Sequence, residues 1–433
     1  MERYSEYKDS GVQWLGDIPG HWGCMPLKRI ITKIESGVSA NGSTSQAASG
    51  NELGVLKTGC VSFRIFNPRQ NKLVLGEECK RLTCPVKGNT IIVSRMNTPE
   101  LVGSCAFVEK DYPNLFLPDR LWQVYFRDNA SVKFLHWMLN SQFVRNRYAQ
   151  ICVGSSSTMQ NISQSQFSET NIPLPPLSEQ HSIVSYLDEK CGKIDKMLEG
   201  KQKQIELLAE LKQRIIADAV THGLNPDVKM KATNIHWLPE IPEHWEFRKM
   251  KYLFRERSEK NHPTEPMLSA TQTHGVILQS KYSGRVVVVN TGFEGLKLVK
   301  VGDFVIHLRS FQGGIELAYD QGIISSAYTV LSLNDSTQSD YFRYLFKSIP
   351  FIDLLKTCVT GIREGQNINY TMLKQNRIPL PPLSEQRSIV SYITDKTAKI
   401  DTLTSKLQQE IESIKEYKQR LISDVVTGQI KVC

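Results

Sequence analysis

Two long segments of the chain carry apolar side chains at helical spacing. They span 178–221 and 384–427, and in each the apolar positions recur every three or four residues, as on one face of an α-helix. The first stripe consists of Ile183, Leu187, Ile194, Leu198, Ile205, Leu208, Leu211, Ile215 and Ala219, and the second of Ile389, Ile393, Ile400, Leu407, Ile411, Ile414, Tyr417, Leu421 and Val425. Each segment predicts a helix of roughly 65 Å at about 1.5 Å per residue. Because so long a helix needs a partner, we expect the two to pair as an antiparallel coiled coil.

A proline-rich segment that precedes each helix is repeated letter for letter. The nine residues Ile172–Gln180, IPLPPLSEQ, recur as Ile378–Gln386. The adjacent prolines Pro175 and Pro176 keep the chain extended, and the serine after them, Ser178 in the first copy, is a favourable N-cap. The glutamate that follows lies in the first helical turn, where the helix dipole favours a carboxylate. The chain therefore contains an internal repeat, with one long helix in each half.

A second repeated motif opens each half and is built around tryptophan. WLGDIPGHW at Trp14–Trp22 matches WLPEIPEHW at Trp237–Trp245, and in each motif we expect the histidine to pack on the adjacent tryptophan. The stretches that follow, 23–150 and 246–356, resemble each other only faintly. One shared pattern, KGNTIIVSR at 87–95 and VGDFVIHLR at 301–309, predicts a turn, a β-strand and a terminal arginine. The expected fold is α+β, with two β-rich domains, two long helices and a pseudo-two-fold internal repeat.

Charge is distributed unevenly over the four predicted segments. The 433 residues carry a net charge of +9. The first domain (1–177) carries +5, the first helix (178–221) −1, the second domain (222–383) +4 and the second helix with the C-terminal tail (384–433) +1. The excess on the domains favours two β-rich modules that grip DNA, separated by a nearly neutral spacer.

Other sequence features narrow the class of protein. Nine cysteines without a CxxC pair argue against zinc or a disulfide framework, and we expect no metal site. The chain has no apolar run long enough for a membrane helix and no apolar signal core, which predicts a cytoplasmic protein. Walker, dinucleotide-binding, zinc-protease, hydrolase and deaminase motifs are all missing from the sequence. Two alternatives stay open: a stand-alone nuclease or methyltransferase with unfamiliar motifs, and a coiled-coil adaptor that binds no DNA.

The repeated IPLPPLSEQ, the helices behind it and the order of segments resemble the specificity subunit of type I restriction–modification systems. The resemblance covers the whole chain, including the opening YKDSGVQWLGDIPGHW. It implies that each domain is a target-recognition domain for one half of a split, asymmetric site in double-stranded DNA, with the helices setting the spacing. It also implies no catalytic residue and no cofactor in this chain.

The same resemblance implies catalytic partner subunits. Two modification subunits would methylate adenine with S-adenosylmethionine, and motor–nuclease restriction subunits would use ATP and magnesium to restrict unmodified foreign DNA. The helices would serve as spacer and docking surface for these partners. The residues expected to act in this way are Ile183, Leu187, Ile194, Leu208, Ile389, Ile393, Ile400 and Ile414.

Candidate DNA-contacting residues follow from the strand ends and loops of the variable domains. Arg95 with Asn97, and Arg309 with Gln312, occupy corresponding strand ends. Arginine can contact guanine through two hydrogen bonds, and Asn or Gln can do so with adenine. Phosphates and internal carboxylates are the alternative partners of the two arginines. The loops before the two proline-rich segments add Gly154, Ser155, Ser156, Gln160, Gly361, Arg363 and Gln366, and weaker candidates are Lys57, Arg64 and Arg120.

Overall fold

The structure is a computed structural model that describes residues 2–43, 45–156, 159–284, 292–334, 339–360 and 367–432; the side chains of Ser155 and Ser156 are not described. The contacts divide the chain into two compact units. The first comprises Met1–Lys201 and Gln409–Cys433, and the second comprises Gln202–Gln408. Each unit therefore contains one variable domain, the start of one long helix and the end of the other.

The first unit is built mainly from short strands. They are β1 Tyr7–Asp9, β2 Asp17–Pro19, β3 Gly23–Pro26, β4 Ile31–Glu35, β5 Gly54–Leu56, β6 Asn71–Leu73, β7 Pro85–Val86, β8 Thr90–Ser94, β9 Met96–Asn97, β10 Cys105–Val108, β11 Tyr112–Phe116, β12 Leu121–Phe126, β13 Val153–Ser156, β14 Met159–Asn161 and β15 Asn171–Leu174. The helices are α1 Val132–Leu139, α2 Gln142–Ile151 and α3 Gln164–Ser168, with 3-10 turns at Leu27–Arg29, Thr58–Val61 and Gly76–Arg81. The first long helix, α4, spans Leu177–His222.

The second unit has the same character. Its strands are β16 Met230–Ile235, β17 Leu238–Pro242, β18 Glu246–Lys249, β19 Phe254–Arg257, β20 Leu268–Thr271, β21 Gly275–Leu278, β22 Lys297–Val299, β23 Phe304–Ile306, β24 Glu316–Leu317, β25 Gly322–Ile324, β26 Thr329–Leu333, β27 Val359–Thr360, β28 Asn367–Ile368 and β29 Arg377–Leu380. Its short helices are α5 Ser310–Gly313, α6 Ser339–Leu345, α7 Ile349–Thr357 and α8 Tyr370–Leu373, with 3-10 turns at Met250–Tyr252, Gln279–Lys281 and Phe293–Gly295. The second long helix, α9, spans Leu383–Val426.

A four-stranded antiparallel sheet with the same strand order occurs in each unit. The order is β10-β8-β12-β4 in the first unit and β24-β23-β26-β19 in the second. The faint sequence match at 87–95 and 301–309 corresponds to the interior strands β8 and β23. Ile91 pairs with Val124 on β12, and Val305 pairs with Val330 on β26. The two variable domains therefore share a sheet although little of their sequence matches.

The long helices contribute their ends to the hydrophobic cores. In the first unit Leu187 of α4 and Val425 of α9 are buried in one cluster with Trp122. In the second unit Val220 of α4 and Ile389 of α9 are buried together in the other large cluster. Apolar stripes at the helix ends are therefore part of the domain cores, which explains why those ends are buried more deeply than the middle of each helix.

Ion pairs show that the helices run antiparallel within each unit. In the first unit Lys418 of α9 donates to Asp195 of α4 at 2.6 Å, and Lys201 of α4 pairs with Glu410 of α9. Residue numbers rise along α4 as they fall along α9. In the second unit Lys212 donates to Asp401 at 2.6 Å. The antiparallel pairing predicted from the two stripes is confirmed.

Two details of the predicted helices are wrong. Leu211 and Tyr417, which belong to the apolar stripes by spacing, are exposed, because a two-helix seam covers only a narrow strip of each helix. Helix α4 begins at Leu177, so Ser178 lies inside the first turn instead of at the N-cap. The side chain of Gln180 reaches back and donates to the carbonyl of Pro175 at 2.8 Å.

The glutamate in the first turn of each long helix joins the helix to the tryptophan motif. In the first unit Glu179 accepts hydrogen bonds from Trp22 Nε1 at 2.9 Å and from Tyr4 at 3.1 Å, and it contacts His21 Nε2 at 2.6 Å. The indole of Trp22 is fully buried. In this unit the His21 ring packs on Tyr4, with ring centroids 5.6 Å apart, and Tyr4 in turn packs on Trp22; the predicted histidine–tryptophan ring contact is present in the second unit, between His244 and Trp245.

The second unit repeats this arrangement. Glu385 accepts from Trp245 Nε1 at 3.0 Å and contacts His244 Nε2 at 2.8 Å. The repeated letters of the two motifs therefore encode one structural device, present once in each unit.

The described cysteines are unbonded. Burial raises the pKa of the Cys105 thiol to about 12 and that of Cys191 to about 11, so both stay protonated near neutral pH. In the described ranges no group of three or more His, Cys, Asp or Glu side chains is arranged to hold a metal ion. None of the helices in those ranges combines the length and the hydropathy that a membrane span requires.

Candidate nucleic-acid interface

In the first unit the strand end with Arg95 lies against the hairpin that precedes the proline-rich segment. Strand β14 of the hairpin pairs with β9, which places Gln160 opposite Asn97. The amide of Ile162 donates to the carbonyl of Arg95 at 3.0 Å. Gly154 permits the hairpin to close, because a Cβ there would lie 2.2 Å from the carbonyl of Met159. Two sequence segments that we predicted separately therefore form one surface.

Arg120 joins this group through the neighbouring strand. The amide of Arg95 donates to the carbonyl of Arg120 at 3.1 Å, and the Arg120 side chain is exposed. The Nε of Arg95 is buried and has no hydrogen-bond partner among the described residues. Such a group suits a contact that forms only when a ligand arrives.

Asn97 lies at the predicted strand end, but its side-chain amide makes hydrogen bonds within the chain. Its amide nitrogen donates to Ser94 Oγ at 3.3 Å, and its amide oxygen accepts from the backbone N–H of Thr98 at 2.9 Å. Both ends of the amide therefore stabilise the turn after β8. In this conformation Asn97 shapes the strand end, and adenine contact by this side chain stays a prediction.

In the second unit Arg309 and Gln312 are both exposed at the equivalent strand end. Arg309 precedes the short helix α5, and Gln312 lies within it. Helix α5 lies beside β28, which pairs with β27 so that Ile368 is opposite Val359. The same combination of strand end and hairpin thus occurs in both units. Of the other candidates, Gly361, Arg363 and Gln366 fall outside the described residues.

Two weaker candidates have other surroundings. The Arg64 guanidinium donates to the carbonyl of Asn140 at 3.3 Å and to Gln419 Oε1 of α9 at 3.0 Å. Lys57 precedes a 3-10 turn, and its amide donates to Gln70. No contact in the described ranges links Lys57 or Arg64 to the hairpin, and their role in DNA binding stays a prediction.

Residues expected to dock partners are mostly inside the units. Ile183, Leu187, Ile389, Ile393 and Ile400 are buried, while Ile194, Leu208 and Ile414 are half-buried. These side chains stabilise the cores and the helix pair. Other apolar side chains on the helices are exposed and accessible to a partner: Met197, Leu207, Leu211, Leu403 and Tyr417.

Two cationic residues, Arg145 and Lys347, contact the loops that follow the strand ends, and the sequence patterns did not predict either of them. Arg145 of α2 is 5 % exposed, and burial lowers the pKa of its guanidinium. Its position between the buried residues Val144 and Tyr148 was a usable signal, because a charged residue on an apolar helix face needs a specific partner. Lys347 lies between α6 and α7, where the sequence pattern offers no comparable signal.

Comparison with known proteins identifies a family. The model of the type I restriction modification DNA specificity domain matches residues 58–207 and 241–413. The MjaX specificity subunit, assigned to a type I restriction enzyme of Methanocaldococcus jannaschii, is 24% identical over 96% of this chain and 96% of its own length. The EcoKI specificity subunit of Escherichia coli K12 is 20% identical over 69% of this chain and 65% of its own length.

Solved structures share the fold. A chain from a study of complex assembly and conformational transition in the type I restriction–modification system has a TM-score of 0.69 at 16% identity, covering 95% of this chain and 99% of that one. The HsdS subunit from Thermoanaerobacter tengcongensis has a TM-score of 0.51 at 18% identity, covering 95% and 98%. Since the family model matches most of the sequence in two copies, the chain belongs to the type I restriction modification DNA specificity family and is a non-catalytic specificity subunit.

Proposed function

We propose that each unit reads one half of a split, asymmetric site in double-stranded DNA. The observation that carries this proposal is the repeated arrangement of a strand end beside a hairpin, with different side chains in the two units. Arg95 in one unit has a buried guanidinium nitrogen, whereas Arg309 in the other is exposed. One scaffold with two different sets of polar groups suits two different half-sites.

The charge of the chain supports DNA as the ligand. The two predicted domains, 1–177 and 222–383, carry net charges of +5 and +4, whereas the helix segments are close to neutral. Phosphate contacts supply most of the affinity of a DNA-binding protein, and base contacts supply its sequence preference. Basic domains with exposed Arg and Gln side chains at strand ends provide both kinds of group.

The chain would act through catalytic partners in the cytoplasm. Two modification subunits would use S-adenosylmethionine to methylate adenine at the site, and restriction subunits would use ATP and magnesium to cleave unmodified foreign DNA. This chain itself would bind no cofactor. The exposed apolar side chains Met197, Leu207, Leu403 and Tyr417 on the long helices are suited to dock a partner.

Reconstitution tests the proposal directly. The full chain is combined with the modification subunits of its system and S-adenosylmethionine, and methylation is mapped on a library of DNA sequences. Methylation of adenine at one split sequence is the expected result, and the chain alone should transfer no methyl group. Methyl transfer or cleavage by the chain alone would favour a stand-alone enzyme, and a complex without salt-dependent DNA binding would favour an adaptor.

Exchange of one variable segment tests the modularity. Replacing residues 246–356 with the corresponding segment of a relative should change one half-site and preserve the other, because each unit has its own strand end and hairpin. Methylome sequencing of cells that express the chimera with its modification subunits would measure both halves. A simultaneous change in both half-sites would refute the proposal that each unit recognises its half-site independently.

A single substitution tests base contact in the second unit. If Arg309 contacts guanine, Arg309→Ala should cost about 1–3 kcal/mol at one base pair and little elsewhere. The matched control is Arg255→Ala, which removes an exposed arginine from β19, two strands away from β23 in the same sheet. Binding is measured on a set of single-base variants of the site. An equal loss on every sequence would reassign Arg309 to a phosphate.

A further inference from the structure

In the first unit the loop that follows the arginine strand end is held by the buried cation Arg145. This loop connects β9 to β10. Arg145 Nη1 donates to the carbonyl of Val102 at 2.6 Å, and Nη2 donates to the carbonyl of Glu100 at 2.6 Å. No carboxylate lies within ion-pair distance of Arg145 in the part of the chain that the structure describes. Its buried charge is therefore directed at the loop backbone.

In the second unit a cation contacts the corresponding loop, although it comes from a different place in the chain: Arg145 lies within α2, whereas Lys347 precedes α7. The loop between β23 and β24 contains Arg309 and Gln312, and its carbonyl at Gly313 accepts from Lys347 Nζ at 2.9 Å. Lys347 Nζ also donates to the carbonyl of Gln272 at 3.2 Å and pairs with the carboxylate of Glu316, which is 1 % exposed. Lys347 thus connects the loop to the first residue of β24 and to a neighbouring turn.

A glycine in each loop lies against the segment that carries the cation. Gly103 has φ +72°, and a Cβ there would lie 2.6 Å from the ring of Tyr148, one turn after Arg145 on α2. Gly314 has φ +87°, and a Cβ there would lie 2.2 Å from the carbonyl of Phe346, the residue before Lys347. Both glycines need the left-handed region, and both permit close approach. Two independent observations therefore link each loop to its cation-bearing segment.

The energetic cost of these cations argues for a specific role. Removing the Arg145 charge from water is expensive, and no carboxylate among the described residues pairs with it to offset that cost, whereas Lys347 also compensates the buried carboxylate of Glu316. A guanidinium or ammonium directed at loop carbonyls instead fixes the backbone through charge-assisted hydrogen bonds, which are short and directional. Such bonds fix the conformation of a loop more than they add to the stability of the whole fold.

We propose that Arg145 and Lys347 are positioning residues for sequence recognition, each holding the strand-end loop of its own unit so that its polar side chains meet one half-site. The inference rests on the proposed function. Because the contacts of each cation lie within its own unit, each should control the fidelity of one half-site alone. Loss of the cation would let the loop move and accept mismatched base pairs.

The test measures discrimination at each half-site separately. Arg145→Met and Lys347→Met proteins are reconstituted with modification subunits and S-adenosylmethionine, and methylation rates are compared on the wild-type site and on single mismatches in either half. A mismatched base pair ordinarily costs about 1–3 kcal/mol, so we expect discrimination in one half to fall by about tenfold and discrimination in the other to stay unchanged. The chimera at 246–356 assigns each half-site to its unit.

Matched variants separate positioning from stability. Lys356→Met removes an exposed lysine of α7 whose ion-pair partner is Asp353, and it should alter neither half-site. Arg145→Lys retains the charge but cannot donate from two nitrogens, and Lys347→Arg retains the charge with a different reach. If a methionine variant fails to fold, these conservative variants should still show the half-specific loss at wild-type thermal stability.

The outcomes distinguish this inference from the proposed function. A wild-type complex without sequence-specific methylation would refute the proposed function itself. A specific wild-type complex whose folded Arg145 and Lys347 variants discriminate normally in both halves would overturn only the inference. An equal loss of discrimination in both halves would also overturn it, because a merely structural role would not separate the two halves.

Discussion

His136 is a half-buried titratable residue through which pH affects the stability of the first unit. Its Nε2 lies 2.9 Å from the carbonyl of Arg64, so the neutral ring donates a hydrogen bond there. Burial lowers the pKa of His136 below its usual value of 6.5, against smaller opposing effects, first from the hydrogen bond to the Arg64 carbonyl and then from the nearby Asp188. The folded chain therefore resists protonation at a pH where the unfolded chain accepts it.

The sign of this shift predicts a loss of stability in weak acid. Above about pH 6.5 both states are neutral at His136, and below it only the unfolded state gains a proton, at up to about 1.4 kcal/mol per pH unit. Stability should fall as the pH drops from 6.5 towards the lower pKa of the folded state. His136→Gln, which retains a donor, should flatten that slope in urea unfolding at pH 7.5 and 5.5. An unchanged slope in the variant would contradict this explanation.

At the scale of the element, one glutamate fixes the start of each long helix. Glu179 and Glu385 each accept an indole hydrogen bond from a buried tryptophan, although more than 100 residues separate the partners. The helix dipole alone explains a carboxylate in a first turn. The tryptophan contact adds a long-range connection, so the tryptophan motif and the helix form one element in the folded chain.

Glu179→Gln tests the strength of this connection. The amide retains the shape of the side chain but loses the charge-assisted hydrogen bonds to Trp22 and Tyr4, so unfolding should become easier by about 1–2 kcal/mol. The control is Glu199→Gln, an exposed position on the same helix, which should cost less than about 0.5 kcal/mol. Urea unfolding followed by tryptophan fluorescence measures both. Equal small effects would show that Glu179 contributes only through the helix dipole.

The sequence predicts elements better than it predicts their partners. Both long helices begin and end within one residue of the positions that the stripe and the Ser-Glu motif indicate, because these are local signals. The strand ends at Arg95 and Arg309 follow from a nine-residue pattern. The hydrogen bond between Trp22 and Glu179 and those of Arg145 join residues that are distant in sequence. The internal hydrogen bonds of the Asn97 amide depend on the rotamer that the side chain adopts in the fold. No local pattern specifies these contacts.

At the scale of the whole molecule, two ion pairs mark where the helix pair can be lengthened. Lys201 pairs with Glu410 in the first unit, and Lys212 pairs with Asp401 in the second. An insertion after Ile205 in α4 and after Leu407 in α9 lies between these pairs on both helices. Each ion pair therefore keeps both of its partners. If the insertion in α9 were instead placed after Glu410 while that in α4 stayed after Ile205, Lys201 would be separated from Glu410 and the contacts between the two helices would change register.

Lengthening both helices at these positions tests whether they set the spacing of the recognition site. Seven extra residues in each helix preserve the apolar stripe and add about 10 Å. If the helices lie along the DNA axis, the unspecified gap between the half-sites should widen by about 3 base pairs at roughly 3.4 Å each, with both half-sites unchanged. The control insertion of two residues turns the stripe by about 200° and should abolish assembly. Methylome sequencing of cells that express each variant with its modification subunits measures the gap, and an active seven-residue variant with an unchanged gap would show that the helices do not determine it.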